Sequence, residues 1–174
     1  AFKKQIEDSA NNSFETPSGK IEICNQPWAD HDDPSCQPVP KYIEAWEGRS
    51  DPLSKDYPLQ MISTHSKRRA NGQFDKVPRL RELTPQEMLI NTLDAAARGI
   101  VTGDKVRTFN DRGEIIILAK VTERIMPGVV DVPQGAWYKP DKNGVDWGGN
   151  PNVLLRDETS PGGAFPLNTC LVQV

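Results

Sequence analysis

Residues 64 to 74 read THSKRRANGQF, and few stretches of this chain gather so much chemistry. Lys67, Arg68 and Arg69 stand side by side, preceded by hydroxyls at Thr64 and Ser66 and an imidazole at His65. Asn71 and Gly72 follow, residues with poor helix propensity, and Gln73 adds an amide suited to the edge of a ring. A guanidinium fork donates two parallel hydrogen bonds to a phosphate, and successive loop amides can form an anion-binding nest. Gly72 lets the backbone come close to a ligand. Retention of an anion is the chemistry this pattern suits. A solvated basic loop paired with nearby acids is the plainer alternative.

Two other stretches carry polar groups suited to a ligand. GGNPNVLLRDETSPGGAF, residues 148–165, is long and poor in apolar residues, and loops of that size either function or are disordered. Its Asn150 and Asn152 resemble two amides placed to read a heterocycle. PQGAW, residues 133–137, offers Gln134 beside a small pair, with Trp137 expected as a core residue.

Other signals fail on inspection. Around Ser18-Gly19-Lys20, Phe14 stands where a phosphate-binding loop needs its first glycine, and Ile21 where it needs Ser or Thr. Asp30, His31, Asp32 and Asp33 are adjacent on an extended chain, so their side chains point apart and do not suit a metal. Cys24, Cys36 and Cys170 form no CxxC pair, which excludes the usual zinc and iron–sulfur spacings. A Cys24–Cys36 bridge and three isolated thiols both stay open. No Ser-His-Asp set or spaced carboxylate pair completes an active site.

The bulk properties narrow the partners. In 174 residues, 21 Lys and Arg face 24 Asp and Glu for a net charge of −3, which argues against nucleic acid and makes any anion site local. No apolar run approaches the roughly 20 residues that span a bilayer. The first residues lack the apolar stretch of a secretory signal, and an opening without Met suggests a fragment or processed form.

The elements that must position these loops follow from pattern. Residues 1–57 read as the tail of a preceding domain and a proline-rich connector, with a short strand at KIEIC (20–24) and a helical turn over Lys41–Glu47. Prolines at 27, 34, 38, 40 and 52 keep this part extended. From 58 onward strands are expected at PLQMIS, MLIN, DKVRTF, EIIILAKV, VVDV and CLVQV. A small helix follows a cap at Asn91 or Thr92 and ends at Gly99, and NDRG forms a hairpin in which Gly113 supplies a positive φ. The fold class is mainly β with small helices, a compact barrel with a six-stranded core.

TPSGKIEI (16–23), THSKRRANGQF, residues 90–137 from INTLDAAARGI to PQGAW, and GGNPNVLLRDETSPGGAF occur in an order that resembles the C-terminal part of the dimethyl sulfoxide reductase family of molybdopterin oxidoreductases. The resemblance covers nearly the whole chain. It implies a double-psi β-barrel, like that of aspartate decarboxylase, over 58–174. It also implies a share in binding bis(molybdopterin guanine dinucleotide) with molybdenum. By position, Thr64, His65, Ser66, Lys67, Arg68, Arg69, Asn71, Gly72 and Gln73 would line the pterin and diphosphate. Gln134, Asn152 and Asn168 match further polar contacts. The parent would reduce dimethyl sulfoxide or related S- and N-oxides in anaerobic respiration, at the periplasmic face of the bacterial inner membrane after twin-arginine export. Its partners would be the other domains of the subunit, an iron–sulfur subunit and a membrane anchor, with no nucleic acid.

The chain also departs from the family. Many members have His-Ser where Asn71-Gly72 stands, and Asn91-Thr92 replaces a frequent Asn-Pro start. The molybdenum ligand and the 4Fe-4S cysteine motif belong to earlier domains, so no catalytic or metal-ligating residue is expected here. A nucleotide- or partner-binding barrel without redox role, or a formate dehydrogenase or nitrate reductase parent, are the rival readings.

Overall fold

A computed structural model describes all 174 residues, which divide into two compact units, Ala1–Ile43 and Glu44–Val174. Within the second unit Glu47 is 1% exposed and ion-paired with Arg112.

In the first unit the regular elements are two short helices, α1 (Lys3–Glu7) and α2 (Gln26–His31). The strand expected at KIEIC does not form. Ile21 and Ile23 are exposed, and a lone strand has no neighbour to satisfy its backbone. Within the proline-rich stretch α2 forms because the Asn25 side chain caps it, accepting from the Trp28 amide at 3.2 Å. Pro27 occupies the first turn, where a missing amide costs nothing. The helical turn expected over Lys41–Glu47 is absent, and Glu47 is left-handed at φ 55. The cysteines are all free, with Cys170 buried and Cys24 exposed.

The second unit is one six-stranded sheet in the order β3-β4-β2-β5-β1-β6. Its strands are β1 (Leu59–Ile62), β2 (Glu87–Ile90), β3 (Lys105–Phe109), β4 (Glu114–Val121), β5 (Val129–Asp131) and β6 (Cys170–Val172). β1 runs parallel to β5 and β2 parallel to β4, while the remaining pairs are antiparallel. The sheet curls until its edges meet, where Phe109 and Gln173 exchange backbone hydrogen bonds of 3.0 and 2.9 Å. Alternation gives the curled sheet its apolar inner face. In EIIILAKV the side chains of Ile115, Ile117 and Ala119 point into the core with Leu59, Met61, Met88 and Ile90.

Between β2 and β3, helix α4 (Thr92–Ala96) is capped by Asn91, whose side-chain oxygen accepts from the Leu93 amide at 2.9 Å, and the following turn reaches Gly99 at φ 67. Helix α3 (Pro78–Leu83) was not anticipated; proline lies in its first turn. Gly113 is a correction. It is not among the glycines with positive φ, and its role is room: a Cβ there would stand 2.6 Å from Val153 Cγ1. No helix is long and apolar enough to cross a membrane.

Candidate functional site

Because β1 and β5 are parallel, both leave the sheet at the same end. Their pairing continues outward, with Val132 donating to Ile62 at 3.0 Å and Gln134 to Thr64 at 2.9 Å. The basic loop and the PQGAW segment therefore emerge side by side. Asp131, buried at the end of β5, accepts from the Thr64 amide at 3.1 Å and its hydroxyl at 2.7 Å. Asn168, expected to reach a cofactor, accepts from the Ser63 amide through its side-chain oxygen at 2.9 Å.

The second half of the loop is tied down by Asp75, which is 1% exposed. Arg69 Nη1 meets it at 2.8 Å and Arg81 Nη2 at 3.1 Å. Arg69 also donates to Gln86 Oε1, and Gln86 donates in turn to the carbonyls of Pro133 at 2.7 Å and Gly149 at 2.8 Å. The fork expected to face an anion is thus turned inward at Arg69. Neighbouring Arg68 is exposed, with Nε donating to Thr84 Oγ1 at 3.0 Å.

Trp137, expected in the core, is half-exposed, and its indole donates to the Gly72 carbonyl at 2.6 Å under the Lys76 ammonium. Gly135 has φ +92, and a Cβ on it would lie 1.9 Å from the Asn71 carbonyl oxygen. Asn71 itself is left-handed at φ 52, a conformation asparagine tolerates. Asn71 and Gly72 therefore lie against the PQGAW segment, while Gln73 is exposed beside them.

Thr64, His65, Ser66, Lys67 and Arg69 line one cleft of about 440 Å³. Lys120, Thr122 and Arg124, at and beyond the end of β4, join them there and were not foreseen. Lys120 ends the alternation of β4 while Arg124 lies in the turn that follows, so strand periodicity gave no signal for the set. The ion pairs nearby run Arg69–Asp75, Arg81–Asp75 and Lys120–Glu87, leaving Lys67, Arg68 and Arg124 without carboxylate partners. Ser66 Oγ is buried with no hydrogen-bond partner. A cleft with unpaired cations and an orphaned hydroxyl fits a polyanionic group.

Asn152 lies apart from this cleft. It lines a separate depression of about 490 Å³ with Arg156 and Phe165, and Asn150 serves as a cap, its side-chain oxygen accepting from the Asn152 amide at 3.0 Å. Buried Asp146 braces the preceding loop, accepting from Lys139 at 2.6 Å, Gly148 at 2.9 Å and Asn150 at 2.7 Å.

Residues 59–171 match the family described as Molydopterin dinucleotide binding domain, and the chain belongs to that family. Over its full length it is 48% identical to dimethyl sulfoxide reductase DmsA of Escherichia coli (strain K12), of which it covers 22%. Over 82% of its length it is 41% identical to trimethylamine-N-oxide reductase 1 of the same strain, covering 18% of that protein. Acetylene hydratase from Pelobacter acetylenicus superposes on 95% of the chain with a TM-score of 0.77 at 20% identity, covering 24% of that chain, a likeness of fold. The chain spans about a fifth of the length of the relatives it matches.

Proposed function

We propose that this chain is the cofactor-clasping domain of a molybdenum oxidoreductase that reduces S- or N-oxides, and that its curled sheet is a double-psi barrel. The two parallel pairs, β1 with β5 and β2 with β4, together with the closing Phe109–Gln173 bonds, support the barrel reading. The ligand is bis(molybdopterin guanine dinucleotide), shared with other domains of the same subunit. When bound, that group supplies oxygen-atom transfer at molybdenum, while the protein supplies binding, orientation and electrostatics.

The observation that carries the reading is the set of cations without carboxylate partners, Lys67, Arg68 and Arg124, placed at and beside a cleft where two parallel strands end. In this assignment Thr64, His65, Ser66, Lys67 and Arg68 meet the diphosphate and pterin. Asn71, Gly72, Gln73, Gln134 and Asn168 set the loop's shape, and Asn152 makes a separate contact. A charge-assisted hydrogen bond contributes about 1.5–3 kcal/mol, so two or three decide retention. An iron–sulfur subunit and a membrane anchor at the periplasmic face complete the assembly.

The test is to replace Lys67 and Arg68 together with Ala in the full-length protein and assay bound guanine dinucleotide. Reduced occupancy at unchanged stability supports the assignment, and full occupancy contradicts it.

A further inference from the structure

Three donors from three different segments converge on the Asp75 carboxylate. They are Arg69 of the basic loop at 2.8 Å, Arg81 of α3 at 3.1 Å and the Trp137 backbone amide at 3.4 Å. The Trp137 indole then closes on the Gly72 carbonyl at 2.6 Å, and Gly135 approaches Asn71 too closely for any side chain. Asp75 itself does not line the cleft. Its carboxylate is nearly inaccessible, so it acts through the residues it holds.

Segments joined through one buried carboxylate open together. We infer that Asp75 is a positioning residue that locks the basic loop and the Pro133–Trp137 segment into a single jaw. The jaw presents Lys67 and Arg68 at a fixed spacing to a diphosphate. The diphosphate rests on the cofactor reading above; the coupling of the two segments does not.

Hydrogen exchange on the full-length, cofactor-loaded protein tests this, comparing wild type with Asp75→Asn and Trp137→Phe. The phenylalanine keeps a ring beneath Lys76 but removes the donor to Gly72. In both variants, residues 66–76 and 133–137 should exchange at least about tenfold faster together, while Glu114–Val121 keeps its wild-type protection. Trp137→Phe should also release cofactor on dilution several-fold faster at an unchanged thermal midpoint. Loosening confined to 66–76, or shared equally by Glu114–Val121, would overturn the inference. If Asp75→Asn does not fold, Trp137→Phe judges the coupling of the two segments and Arg81→Gln, which removes the charged donor from α3 to Asp75, judges the role of Asp75. A wild-type protein without cofactor would refute the cofactor reading, and the exchange pattern would still judge the coupling.

Discussion

Glu47 and Arg112, 65 positions apart, meet as a bidentate pair at 2.7 and 2.8 Å. The remaining capacity of each is used locally. Glu47 Oε2 accepts from the Leu171 amide of β6 at 3.0 Å, and Arg112 Nε donates to the Leu154 carbonyl at 2.8 Å. Burial opposes the charge on Arg112, and the Glu47 carboxylate more than restores it, holding the guanidinium above its ordinary value. One residue from the expected connector thus joins the hairpin after β3 to the last strand.

Glu47→Ala should therefore destabilise the second unit by about 3 kcal/mol, the low end for breaking a buried pair, because Arg112 keeps some contact with water. The Leu171 amide also loses its acceptor. Urea unfolding followed by circular dichroism would read this as a lower midpoint at unchanged slope.

Cys170 sits beside this pair, and its thiol is pushed up to about 12, by burial first and then by the Glu47 carboxylate. An unfolded thiol titrates near 9.0. Between those values the unfolded state binds fewer protons than the folded one, so stability must fall as pH rises above about 9. Comparing wild type with Cys170→Ala by urea midpoints at pH 8 and pH 10.5 should show a wild-type advantage that shrinks at the higher pH. Cys24, being exposed, should react with a thiol reagent in the folded state while Cys170 stays silent.

Two glycines with positive φ separate strain from collision. At Gly99 a Cβ meets nothing within 4 Å, so Gly99→Ala should cost about 1 kcal/mol, the backbone penalty alone. Gly135→Ala would drive a methyl into the Asn71 carbonyl and should cost more than about 2 kcal/mol, with loss of bound cofactor from the full-length protein. Thermal denaturation beside a dinucleotide assay ranks the two.

The cations of the basic loop divide by role. Arg69→Ala leaves Asp75 with the half-exposed Arg81 and the long contact from the Trp137 amide, and removes a donor from Gln86, so stability should fall by about 2–3 kcal/mol. Lys67→Ala with Arg68→Ala should change stability by less than about 0.5 kcal/mol and act on ligand retention alone. Retention in the double variant should also depend less steeply on salt. Chemical denaturation and a salt series on cofactor release separate these outcomes.

Strands were legible wherever alternation or a short apolar run between turn residues marked them. EIIILAKV forms β4 over the expected residues, and the basic loop does follow β1. Asn91 and Gly99 were readable because capping and left-handed turns depend on local chemistry. KIEIC misled because an alternating pentapeptide does not reveal whether a neighbouring strand exists. The inward turn of Arg69 was hidden for a related reason: three adjacent cations look alike until Asp75 and Gln86 are placed. Glu47 gave no signal at all, since its partner lies 65 positions away.

The most direct test of the central claim is to measure molybdenum and pterin guanine dinucleotide in the full-length protein purified without oxygen. Molybdenum together with a pair of guanine dinucleotides, retained by wild type and depleted by the Lys67/Arg68 double variant, is the predicted result. A well-folded protein containing neither would contradict the account and leave the basic cleft to another anion.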